Sequence, residues 1–102
     1  MKVAIFIKNN KLTALHEKEI RVVIFDMEKD RVFGVEIIIL DEHIKDSIAT
    51  WLYRKAINKI YLLEIDEQTH RTINSKGIQV KTLEALKNDR LFNSLALSSL
   101  NL

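Results

Sequence analysis

The sequence has no cysteine, no proline and only two glycines in 102 residues. Without a thiol there can be no disulfide, no thiolate-bound zinc or iron–sulfur centre and no cysteine nucleophile. Charge of one sign is also lacking. Sixteen basic residues face 14 acidic ones, for a formal charge of +2. The lysines and arginines are spread along the chain, which gives no reason to expect the gathered basic surface that nucleic acid requires. No run is long enough to cross a bilayer. The longest, "VEIIIL", has six residues and is flanked by charge. The apolar start "VAIFI" is too short for a signal peptide, so a cytoplasmic location is the default expectation. Glycine-rich phosphate cradles are missing as well: neither GxGxxG nor GxxxxGK[ST] occurs.

What remains is 47% hydrophobic and 29% charged, an ordinary globular balance in a length that predicts one domain. "KVAIFI" (2–7) is apolar on both alternating faces and predicts a strand covered on both sides. "KNNKLTALHEKE" (8–19) reads as a polar loop, with room for a short strand near Leu12. "IRVVIFD" (20–26) and "RVFGVEIIIL" (31–40), joined by "MEKD", predict an antiparallel hairpin. The period then changes. Ile44, Ile48 and Leu52 recur every four residues, widened by Ala49 and Ala56, and predict a helix over 42–56 with Asp41 as N-cap. "KIYLLEI" (59–65) returns to strand, Asp66 caps a second helix over 67–76, and Gly77 stops it in the left-handed conformation. "IQV" makes a short strand, and Thr82 can cap a third helix with Leu83, Leu86 and Leu91 facing inward. The order β-β-β-α-β-α-β-α predicts an α/β domain with a mixed sheet over 1–92. Its first, fourth and fifth strands should be parallel. The leucine-rich tail at 93–102 docks or frays on this reading.

Chemistry-bearing residues are sparse. His16, His43 and His70 fall in three different elements and have no helical metal spacing. Asp66 and His70 are four apart on one helix face, which would suit a carboxylate orienting an imidazole, although an N-cap aspartate explains Asp66 as well. Ligands of open α/β sheets bind beyond the carboxyl ends of parallel strands. That rule brings His16 and the 64–67 turn towards one crevice. Asp26 ends the second strand and could hold Mg²⁺ only if acids such as Glu28, Asp30, Asp41 or Glu64 converge on it. No serine or threonine has a nucleophile's context, so a non-catalytic domain is expected.

Three segments carry a family resemblance: "KVAIFI", "LTALHEKEIRVVIFD" and "IATWLYRKAINKIYLLEIDEQTHRTINSKGIQV". In order and spacing they resemble the dinitrogenase iron–molybdenum cofactor biosynthesis family, the NifX and NifB C-terminal type of domain. The resemblance implies a small ribonuclease H-like fold with a five-stranded mixed sheet and about three helices. It also implies a loop after the first strand that carries a serine and then a histidine before Phe-Gly. His16 matches that histidine and would be the metal-reaching group, and Thr13 stands near the serine's place. Glu17 and Lys18 replace Phe-Gly, and Glu64, Ile65 and Asp66 stand where the family has glycines. The resemblance thus implies a diverged member with a cofactor-binding set of His16, Thr13, Glu64 and Asp66. Its ligand would be an iron–molybdenum or iron–sulfur cluster precursor, or another small anionic ligand. Two other readings stand beside it: an interaction or regulatory domain that has lost the site, and a metal-dependent hydrolase built on Asp26. The hairpin's outer strand and the leucine-rich tail could each bury apolar area on a second copy or a partner protein.

Overall fold

The computed structural model describes residues 1–90; the tail expected at 93–102 and Leu91 lie outside them. Strand β1 (Lys2–Lys8) lies at the centre of the sheet. Strand β2 (Lys11–Leu12) turns back on it through Asn9 and Asn10, both left-handed. Strands β3 (Arg21–Glu28) and β4 (Arg31–Ile39) form the expected hairpin. Helices α1 (Glu42–Asp46) and α2 (Ile48–Arg54) follow. Then come β5 (Lys59–Tyr61), α3 (Glu67–Ser75), β6 (Gln79–Lys81) and α4 (Leu83–Lys87). The sheet runs β4-β3-β1-β5-β6, with β2 paired to β1 off this path. β1, β5 and β6 are mutually parallel, and β3 is antiparallel to both β1 and β4.

Alternation along β1 builds two cores. Ala4 and Phe6 face α2 and α3 and pack with Val22, Ile24, Leu52, Ile60 and Ile73. Val3 and Ile5 face the other way and pack with Leu12, Tyr61 and Leu86 of α4. All four of these β1 side chains have no exposed surface. Burying Ile5 or Phe6 alone is worth about 1.5–3 kcal/mol relative to exposure. Burial, and then a 2.7 Å bond from the Tyr61 hydroxyl to Asp89, pushes the Tyr61 phenol well above its usual range.

Three expectations are corrected. The helix expected over 42–56 breaks at Ser47, whose backbone (φ −128°, ψ 40°) is not helical, and its N–H bonds the Ile44 carbonyl. The strand expected over 59–65 ends at Tyr61. Leu63 is exposed, and its N–H bonds the Thr13 carbonyl instead of a ladder. The sheet therefore has six strands and the described chain four helices, not five and about three. A two-residue strand and a single non-helical serine leave too small a mark on hydrophobic periodicity to be counted from it. Other expectations hold. Asp41 accepts from the Ile44 N–H, and Gly77 has φ +81°. The structure adds a bulge in β4, where Phe33 is the extra residue beside Gly34.

With glycine scarce, six other residues take left-handed backbone. Lys29 and Asp30 close the β3–β4 hairpin in this way, the geometry that suits a two-residue turn. Ala56 (φ 59°) ends α2: its N–H bonds the Tyr53 carbonyl and the Ile57 N–H bonds the Leu52 carbonyl. That pair is a Schellman motif, in which glycine is the usual residue at this position. Left-handed backbone costs an L-residue about 1–2 kcal/mol, and glycine's flexibility returns about half of that as unfolded-state entropy. Ala56→Gly should therefore stabilise the protein by about 0.5–1 kcal/mol, read as a higher urea midpoint at unchanged slope; an unchanged or lower midpoint would refute the strain argument.

Candidate functional site

The chain leaves β1 towards β3 on one side, and it leaves β5 through α3 towards β6 on the other. The carboxyl ends of β1 and β5 therefore flank the point at which strand order diverges, where open α/β sheets form their crevice. Two segments border it. The first is the loop after β1, held down by the Thr13 N–H to the Phe6 carbonyl at 3.0 Å and by the Leu63 N–H to the Thr13 carbonyl at 2.9 Å. The second is the turn after β5, which runs into Asp66 and α3.

His16, Glu64, Ile65 and Asp66 line one open cleft of about 380 Å³ together with Leu15. His16 and Asp66 also line a larger cleft, about 690 Å³, whose far wall is the α1–α2 junction. Three of the four residues expected at the site thus meet on one surface. Thr13 does not. It is buried, lines neither cleft, and serves through its backbone to tie the β1 loop to the end of β5. The larger cleft also brings in Glu42, Lys45 and Asp46. The only sequence signal near them is Asp46-Ser47, two residues of cap-forming type inside an apolar stripe, although Ser47 makes no side-chain cap bond where α1 and α2 separate.

The electrostatics are mostly acidic. Glu42, Asp46 and Asp66 face a single lysine, Lys45. Its ammonium donates to the Glu17 carbonyl at 2.7 Å and lies 3.5 Å from Glu42, so it also straps α1 to the β1 loop. Asp66 is committed locally. One oxygen accepts from the Thr69 N–H (2.9 Å) and the other from the Thr69 hydroxyl (2.6 Å). Those bonds, the hydroxyl's first, hold the Asp66 carboxyl below its usual range. The Asp66–His70 arrangement is not formed, because both carboxylate oxygens turn to Thr69 and the two residues share only the backbone helix bond.

Metal chemistry has little to rest on. Among the described residues no three His, Asp or Glu side chains gather closely enough to hold an ion. His16 is therefore a lone imidazole donor at the cleft and does not complete a chelate. Asp26 pairs with Lys2 at the amino end of β1, so it lies at the opposite end of the sheet from His16. It sits across from Gly34, and among the described residues it belongs to no group of three or more His, Asp or Glu side chains able to hold an ion.

Taken together these features define a small mixed-sheet α/β domain with an open, acid-rimmed cleft at the carboxyl ends of its central parallel strands. Solved structures similar to it include the following two. The protein PH0822 superposes with a TM-score of 0.68 at 21% identity, over 80% of this chain and 76% of its own. A Methanocaldococcus jannaschii protein described as a "putative dinitrogenase" superposes with a TM-score of 0.68 at 22% identity, over 97% of this chain and 88% of its own. At such identities the likeness shows the fold. No family model and no curated protein matches the sequence.

Because the Asp66 carboxyl titrates below its ordinary range in the folded state, its cap is fully present above that range and is lost as pH falls through the lowered value. Asp66→Ala should lower the melting temperature at neutral pH, and the gap to the parent should close in strong acid. A gap that persists in acid would show that the cap is not electrostatic.

Proposed function

We propose that this chain is a non-catalytic ligand-binding domain, a diverged relative of the dinitrogenase iron–molybdenum cofactor biosynthesis domains with their ribonuclease H-like fold. Its ligand occupies the cleft between the β1 loop and the turn after β5. One observation carries the reading. His16, Glu64 and Asp66, drawn from segments almost fifty residues apart, line one open surface at the divergence point of the sheet. The fold shared with a protein described as a "putative dinitrogenase" supports the same direction.

Donor chemistry narrows the ligand. With no thiol in the chain, a cluster would be held through one imidazole and carboxylate oxygens, bonds more exchangeable than thiolate bonds, as suits cargo passed between proteins. Glu42, Glu64, Asp46 and Asp66 disfavour a bare anion. They favour a ligand that presents a metal or other positive face to the rim.

A specific observation also favours the interaction-domain reading. The cluster-binding glycines of the resembled family are replaced, and Asp66 is consumed by Thr69. The hydrolase reading is set aside, since Asp26 stands apart from the cleft.

The two surviving readings separate in one experiment. Anaerobic incubation of the protein with ferrous iron and sulfide should give a charge-transfer absorbance. His16→Ala should reduce it several-fold with the unfolding midpoint unchanged, while His43→Ala, exposed on α1, leaves it intact. No absorbance, or equal absorbance in His16→Ala, would reject cluster binding and leave the interaction domain.

A further inference from the structure

The two edges of the sheet differ. Edge strand β6 is three residues long and carries Lys81. Shortness and charge are the usual protection of an exposed edge. Edge strand β4 has nine residues and lacks that protection over 35–39. The one charge in that stretch, Glu36, bonds Lys55 behind α2 at 3.4 Å, on the helical face. On the other face Val35 is 57%, Ile37 63% and Ile39 70% exposed. Their register places them opposite Phe25, Val23 and Arg21 of β3, and Val23 and Phe25 pair in turn with Ile5 and Val3. The row therefore continues the smaller core outward to the edge. A contiguous apolar row of this kind marks an interaction surface.

The backbone of the same three residues is turned outward. The Met27 N–H bonds the Met1 carbonyl at 2.7 Å, and the Leu40 N–H bonds the Ile20 carbonyl at 2.9 Å. In an antiparallel ladder, successive residues of a strand direct their N–H and carbonyl groups to alternate sides. Followed along the two registers, the odd-numbered residues of β3 bond β1 and the even-numbered ones bond β4. Gly34, Glu36 and Ile38 thus complete the ladder with β3. Val35, Ile37 and Ile39 aim their N–H and carbonyl groups away from the sheet, where no partner strand lies among the described residues.

We infer that β4 pairs antiparallel with β4 of a second copy, about a two-fold axis through Ile37. Three constraints select this partner and register. The outward backbone groups belong to odd-numbered residues. Residues opposed across an antiparallel pair share a face, so odd must meet odd. The bulge at Phe33 ends the regular strand on one side. An axis at Ile37 then engages all three residues: Ile37 meets its own copy, and Val35 meets Ile39. Each outward N–H finds a carbonyl, and aliphatic side chains meet across the axis on the bare face. Each Glu36 falls opposite Ile38, so the two carboxylates are not opposed. The strand is its own complement, which is the requirement of an isologous interface. The three side chains offer roughly 300 Å² of apolar surface per copy, which sets the interface at the small end of the range, below about 1,200 Å² in total. Such an area suits a reversible dimer, with a dissociation constant on the order of 10 µM.

Sedimentation equilibrium of the full chain should show monomer mass giving way to dimer mass between about 1 and 200 µM. Ile37→Lys sets two ammonium groups across the axis and should weaken the dimer at least tenfold, with the unfolding midpoint of the monomer unchanged. Amide hydrogen exchange of the parent provides a readout that needs no substitution. The Val35, Ile37 and Ile39 N–H groups should exchange several-fold more slowly at 200 µM than at 1 µM, roughly the two ends of the association range. The cysteine-free chain also permits a register test. Ile37→Cys, oxidised at the higher concentration, should form a disulfide-linked dimer in most molecules, whereas Arg71→Cys, exposed on α3, should form little. A parent that stays monomeric throughout would overturn the proposal. So would a dimer that survives Ile37→Lys, or one in which the three amides exchange as fast as in the monomer.

Discussion

The structure depends on burial of β1 from all sides. Val3, Ala4, Ile5 and Phe6 are completely enclosed, and the strand hydrogen-bonds β3 along one edge and β5, then β2, along the other. A strand in that position must be apolar at every residue, because both faces are covered. It must also satisfy each backbone N–H and carbonyl in a ladder, because water cannot reach them. Once β1 is fixed, its alternation sets which residues of β3 and β5 face each core, since a slip of one residue would exchange the faces.

The cleft is a consequence of the same centrality. The chain leaves the carboxyl end of β1 by doubling back through the left-handed Asn9 and Asn10 into β2. That hairpin and the buried Thr13 occupy the top of the sheet between β1 and the end of β5. The remaining opening is displaced towards the α1–α2 junction, and there His16 meets Asp66. The acids on the rim have structural duties too. Asp66 caps α3, Glu42 lies beside Lys45, and Lys45 holds the β1 loop. Several rim side chains therefore also serve the fold, whereas His16, Glu64 and Asp46 take no part in the caps and straps described above.

Much of the fold could be read from the residues because the relevant signals are local. The four-residue recurrence of Ile44, Ile48 and Leu52, the switch to "KIY", and the Asp66 and Gly77 boundaries each report a backbone preference that acts within a few positions. Ser47 shows where such reading stops. The apolar stripe runs straight across it, yet α1 and α2 separate there, and Ile44 packs only at the margin of the core while Ile48 and Leu52 enter it. Leu63 shows the reverse case: an apolar residue in an apolar run that lies exposed, past the end of β5, with its backbone N–H bonded to the Thr13 carbonyl. The site was legible in part for the same reason. The strand-end rule predicted that His16 and the 64–67 turn would face each other, whereas Thr13's burial and the arrival of Lys45 and Asp46 depend on contacts between distant segments.

By itself, the sequence determined most of the strand and helix segments, the caps at Asp41 and Asp66, and that no thiol chemistry is available, since these follow from side-chain type and short-range spacing; Thr82 stands at the start of α4 without a side-chain cap bond. Tertiary structure alone decided that β2 fills the top of the sheet, that Asp26 and His16 lie at opposite ends, and that one face of β4 is bare of α1–α4. Those outcomes are set by strand order and long-range packing, for which neighbours in sequence carry no signal.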